Sequence, residues 1–133
     1  MARRILAFIA LLMFAGIAYG QCNSGVCKVD VTVTGPCTEA SNIHVQYDPL
    51  IVDSPNNIEW TIQTPGYVWV PLPNGITSLP TPQFTPHATG NNKKYMVHDD
   101  HSPPIPKDYK YDVHLQTEDG KACAVKDPII RNG

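Results

Sequence analysis

The chain has 133 residues, with 10 Lys and Arg against 12 Asp and Glu and a formal net charge of −2. That length suits one ordinary domain with a single core. The slightly acidic balance, with no basic cluster beyond Lys93-Lys94 once Arg3-Arg4 of the first residues are set aside, argues against nucleic acid or an anionic membrane surface as partner.

The first residues, Met1-Ala2-Arg3-Arg4, are basic, and a short apolar run from Ile5 to Ile17 follows. Ala18-Tyr19-Gly20 offers small residues where a signal peptidase reads, so residues 1–20 are expected to be a signal peptide cleaved before Gln21. The run is shorter than the ~20 apolar residues a membrane span needs, and no span is expected after cleavage. Cys22 is a poor lipid-anchor cysteine because Gln21 stands before it, where a small residue is wanted. Residues 21–133 then form one mature domain, and without Arg3 and Arg4 its balance is 8 basic (10 less 2) against 12 acidic residues, or −4.

Val29, Val31 and Val33 alternate with Lys28, Asp30 and Thr32, the period of a strand with one buried face, and Gly35-Pro36 ends it. Ile43 to Tyr47 repeats the pattern. Asp48-Pro49 bends the chain before Leu50-Ile51-Val52. Ser54-Pro55-Asn56-Asn57 turns into the clearest strand, with Ile58, Trp60 and Ile62 set against Glu59, Thr61 and Gln63. Tyr67 to Val70 is apolar on both parities, as expected of a strand covered on both sides. Pro71 to Pro86 is proline-rich and reads as extended loop with at most short edge strands, because proline removes ladder donors. Tyr95 to His98 is a further strand, and Asp99 to Lys107 a polar loop.

Tyr109, Tyr111, Val113 and Leu115 open a hairpin that turns at Asp119-Gly120, returns through Ala122 to Val125 and ends at Asp127-Pro128. Roughly seven or eight short strands separated by turn clusters predict an all-β fold, an antiparallel Greek-key β-sandwich. Cys22, Cys27, Cys37 and Cys123 all lie beyond the leader, so two disulfides in an oxidising compartment are expected, periplasmic or secreted. Three pairings are open. Shared parity with Val29 and Val125 favours Cys27 with Cys123, which leaves Cys22 to Cys37.

The Ile58-Glu59-Trp60-Thr61-Ile62 strand, the Tyr67-x-Trp69 strand and Cys123 followed by Asp127-Pro128-Ile129-Ile130-Arg131-Asn132 resemble small exported bacterial β-sandwich proteins of the cupredoxin-like or immunoglobulin-like kind. The resemblance implies that fold. A blue-copper site in it would take His and often Met shortly after the cysteine, and neither follows Cys123, so the resemblance does not carry copper chemistry to this chain.

His98-Asp99-Asp100-His101 is the densest set of potential ligands. Strand alternation sends His98 and Asp100 to one side and Asp99 and His101 to the other, so a Cu or Zn site built from His98, Asp100 and His101 requires a turn, with His87 or His114 completing it. Tyr67 and Trp69 face one way and form a candidate stacking platform. With Phe84 of the adjoining proline-rich loop they make the expected binding surface, although burial in the core is the competing reading for the pair. No catalytic motif is present; carboxylates such as Glu59 and Asp112, on the wet parity of adjacent-looking strands, could pair as acid and base, but surface carboxylates are the default reading. The sequence thus points to a non-enzymatic exported domain that binds a protein or cell-envelope component and needs no cofactor. The alternatives are a metal-binding protein and a secreted hydrolase.

Overall fold

The computed structural model describes residues 21–133; the leader expected over residues 1–20 lies outside the described residues. Among the described residues no helix is long and apolar enough to cross a membrane. Among the described residues the regular structure is nearly all strand. In order these are β1 (Cys22–Asn23), β2 (Val26–Val33), a short 3-10 turn (Ala40–Asn42), β3 (Ile43–Val45), β4 (Leu50–Val52), β5 (Asn56–Ile62), β6 (Tyr67–Trp69) and β7 (Ile76–Thr77). They continue as β8 (Phe84–His87), β9 (Lys94–Asp99), β10 (Lys107–Lys110), β11 (Asp112–Val113), β12 (Leu115–Thr117) and β13 (Ile129–Asn132).

The first layer runs β1-β2-β5-β9-β8, with β3 also on β2. The second is organised on the stretch from β10 to β12, which pairs with β13 on one side and with β7 and β6 on the other; β4 lies outside β13. Alternation decides what faces inward. Val29, Val31, Ile58, Trp60, Val97, Tyr111 and Val113 are at most 3% exposed, whereas Lys28, Asp30 and Glu59 point outward. Three aromatic pairs join elements of the two layers: Trp60 on Tyr111 (ring centroids 5.5 Å apart), Trp69 on Tyr95 (5.3 Å) and Phe84 on Tyr109 (5.0 Å). Centroid spacings of this size suit the tilted and edge-on packing that aromatic quadrupoles favour.

The all-β, disulfide-stapled class expected from the sequence is found, but its details differ in three ways. The pairing is not purely antiparallel: β2 lies parallel to β5, and β4 to β13. After β3 folds back on β2, the chain crosses to β4 in the second layer and returns as β5 beside β2 in the same direction.

The disulfides are Cys22–Cys27 and Cys37–Cys123, not Cys27 with Cys123 and Cys22 with Cys37. Cys22 and Cys27 are direct cross-strand partners of a hairpin whose two turn residues, Ser24 and Gly25, both take positive φ (55° and 80°). A two-residue turn of that kind matches the strand twist and sets the two cysteines directly opposite each other. The signal was present in Cys22-Asn23-Ser24-Gly25-Val26-Cys27.

The third difference is the return of the last hairpin. The chain does turn at Asp119-Gly120, with the Thr117 N–H donating to the Lys121 carbonyl at 2.9 Å. Bridges then join Gln116 to Ala122 and Val113 to Lys126, three steps on one chain against four on the other. The extra residue is a bulge. It frees the Ala124 N–H to donate to the Cys37 carbonyl at 2.7 Å, beside the disulfide, and turns Val125 outward to 46% exposure. Regular pairing resumes only beyond Pro128, whose carbonyl accepts from the Tyr111 N–H at 3.0 Å. Proline is tolerated there because the ladder asks its carbonyl, not a missing N–H.

Candidate functional site

The expected platform is not exposed. Trp69 is 3% and Phe84 1% exposed, and Tyr67 is half-buried. The Trp69 Nε1–H donates to the Lys93 carbonyl at 3.1 Å, and Val68 on the opposite parity is buried as well, so β6 is covered on both faces. The proline-rich segment between these residues nevertheless lines two clefts of the surface. Trp69 is the floor of one and Phe84 of the other.

The larger cleft, about 310 Å³, has Trp69 and Tyr95 beneath it, Val70-Pro71-Leu72 on one side and His87 to Asn92 with Lys94 on the other. Both walls have local causes. The Val70 N–H donates to the His114 carbonyl at 3.1 Å and the His114 N–H to the Gly75 carbonyl at 2.8 Å, so the residues between leave the ladder as a loop closed by Asn74 N–H to Pro71 carbonyl at 2.9 Å. Position 75 has room only for glycine. A Cβ there would stand 2.6 Å from the Val70 carbonyl oxygen and closer still to the Tyr95 ring. Opposite, the Thr89 hydroxyl donates to the Lys94 carbonyl at 3.1 Å, and Asn91 Oδ1 accepts from the Lys93 N–H at 2.9 Å. The Asn92 carbonyl accepts from the Trp69 N–H at 3.0 Å, which pins this turn to the floor. The smaller cleft, about 180 Å³, lies between Pro73, Ile76, Leu79, Pro86 and Phe84.

A scan against protein-family models found no match, nor did a search of curated proteins. The geometry alone therefore carries the functional argument.

The potential metal ligands do not converge. His98 and Asp100 share a side, as alternation predicts, with Nε2 3.2 Å from Oδ1, while His98 Nδ1 bonds Asn57 Oδ1 at 2.8 Å. His101, at φ 53°, turns away to the Gly133 carbonyl at 2.8 Å, and His114 bonds the Thr77 hydroxyl at 2.8 Å in the other layer. His87 pairs with Met96 and Thr85 with His98, so His87 and Asp100 lie in opposite directions along the strands from His98. Among the described residues no three His, Cys, Asp or Glu side chains stand together as a metal-binding group. Cys123, the cysteine that a copper reading would use, has its sulfur bonded to Cys37.

The candidate acid and base are separated too. Glu59 in the first layer pairs with Lys94 at 3.2 Å, and Asp112 in the second accepts from the Ser78 hydroxyl at 2.6 Å. The Thr77 and His114 contact has the spacing of a hydroxyl nucleophile and its base. The same spacing recurs at Thr34, just beyond β2, and His44 of β3, 2.9 Å apart, where it is an ordinary surface pair.

Sequence reasoning missed one polar group. Asn56, Asp99 and Asn132 take inward positions at one end of the core and are 3%, 0% and 0% exposed. Asp99 Oδ1 accepts from the His101 N–H at 2.8 Å and from Asn132 Nδ2 at 3.1 Å, but Asp99 Oδ2 and Asn132 Oδ1 have no partner among the described residues. Burial pushes the Asp99 carboxyl up from the ordinary range, against the pull of these donors. A carboxyl raised above its unfolded value of about 3.9 contributes stability that is complete below that value and is lost as pH rises through the folded pKa. Asp99→Asn supplies a neutral donor at every pH. The wild type is therefore expected to lose stability relative to this variant between acid and neutral pH in urea titrations. A difference that stays flat across that range would refute the assignment.

Proposed function

We propose that the mature chain is an exported, non-enzymatic binding module that engages a protein or other cell-envelope component at the larger cleft. The observation that carries this reading is the exposure of Leu72, 40%, beside an aromatic floor and between two walls fixed by backbone hydrogen bonds. An exposed apolar residue flanked by two prolines loses little entropy on contact, and the opposite rim of Asn91, Asn92 and Lys94 supplies polar groups for orientation. Two disulfides favour an oxidising compartment, the periplasm or the exterior, in keeping with the leader. The reading keeps the fold beside the exported cupredoxin-like and immunoglobulin-like sandwiches and asks for neither Cu nor Zn.

A photo-crosslinking residue at position 72 is expected to capture a discrete envelope adduct in the producing cell, and the same probe at Val125, also exposed, is not. Excess unlabelled wild type should compete the adduct away, and excess Leu72→Glu protein should not. Equal labelling from both positions, or equal competition by both proteins, would sink this surface.

A further inference from the structure

β4 is an edge strand, and its open side is covered by the residue expected to begin the mature chain. The Val52 carbonyl accepts from the Gly133 N–H at 3.0 Å on the β13 side, so the peptide groups of Ile51 point the other way, toward the open edge. There the Ile51 N–H donates to the side-chain carbonyl oxygen of Gln21 at 2.7 Å. Cys22 Sγ lies 3.7 Å from the Ile51 carbonyl oxygen, but a disulfide sulfur carries no proton and this is only contact. The Cys22–Cys27 bridge holds Gln21 at this place by tying its neighbour to β2.

We propose that Gln21 is a modification site: once the leader is cut, it closes to pyroglutamate, and its carbonyl seals the β4 edge. This rests on the exported reading, since the free α-amine exists only after cleavage before Gln21. The amine attacks Cδ of its own side chain, a C–N bond forms, and the Cδ–Nε2 bond breaks. Ammonia leaves, carrying away a proton given up by the amine. No oxidant or co-reactant is needed. The hydrogen bond from the Ile51 N–H draws electron density from the carbonyl under attack, in the manner of an oxyanion donor. The oxygen that accepts this bond is retained in the lactam, so the edge keeps its cap while the terminal positive charge disappears. An unsatisfied edge N–H invites strand addition from another chain, and the cap removes that invitation at Ile51.

The test is the intact mass and terminal sequencing of the protein purified from the cells that make it. A chain beginning at residue 21, lighter by one ammonia than free Gln21 requires, blocked to stepwise degradation and opened by pyroglutamyl aminopeptidase, is the expected result. A chain beginning at residue 21 with a free amine overturns the proposal and leaves export intact. A chain cut at another position overturns the proposal alone, and a chain that keeps its leader overturns both. The sealing role has its own readout: Gln21→Ala should speed amide exchange at Ile51 about fivefold, the factor for one lost hydrogen bond. Unchanged exchange there would show that the edge is not capped by this residue.

Discussion

Replacing Cys37 and Cys123 together by alanine is expected to lower the unfolding free energy by about 4 to 5 kcal/mol, and replacing Cys22 and Cys27 by about 2 kcal/mol from chain entropy. The two bridges span 86 and 5 residues, and a crosslink restricts the unfolded chain more when it closes the longer loop. Cys27 is fully buried, so its removal also leaves a small cavity that adds to the lesser figure. The longer bridge has a second role. It sits at the bulge where the Ala124 N–H leaves the hairpin for the Cys37 carbonyl, so its loss frees both the segment before β3 and the irregular return of the last hairpin. Urea unfolding of the two double variants under non-reducing conditions decides the matter. Equal losses, or a non-reduced peptide map joining Cys27 to Cys123, would show that the pairing is otherwise.

Trp60→Ala is expected to cost about 3 to 5 kcal/mol. The side chain is fully buried, packs on the Tyr111 ring and donates its Nε1–H to the Tyr111 hydroxyl at 3.1 Å across the two layers. Tyr111 is equally buried, and burial holds its hydroxyl well above the ordinary phenol range, so it stays neutral as the acceptor. Tyr111→Phe keeps the ring and removes the oxygen, leaving the indole N–H buried without a partner at a cost of about 1 to 3 kcal/mol. A double-mutant cycle with Trp60→Phe isolates the bond, since the packing lost with the indole recurs in the single and the double variant and cancels. No coupling in that cycle would reduce the pair to packing alone.

The legible part of this fold was its in-and-out pattern. Alternation points Val29, Val31, Ile58, Trp60, Tyr109, Tyr111 and Val113 into the core, and all are buried. Alternation is a local property, because successive side chains of a strand point to opposite faces whatever lies beside them. The same rule placed His98 and Asp100 on one side and Asp99 on the other, but reading Asp99 as the start of a loop hid its burial. β9 includes Asp99, and the inward face there meets Asn132 rather than solvent.

The candidate site was legible only as a neighbourhood. The segment from Pro71 to Pro86 does border the clefts, but the choice between platform and floor for Trp69 depended on the turn at Asn91 to Lys93 closing over it, a contact between distant parts of the chain. The hydrophobic alternation between Tyr109 and Leu115 likewise foretold a hairpin strand without foretelling the bulge opposite it. That bulge is a mismatch between two chains and belongs to neither sequence segment alone.

By itself, then, the sequence determined the all-β class, the faces of its main strands and the turns that punctuate them, because these follow from backbone geometry over a few residues. The tertiary structure decided which strands lie side by side, that β2 and β5 run parallel, that Cys37 finds Cys123, and that His98, His101 and His114 turn to separate partners. The physical reason is that parity states which way a side chain points and says nothing of what it meets. Partners are chosen by the global packing of one core, in which Trp60 meets Tyr111 and Phe84 meets Tyr109 across the two layers.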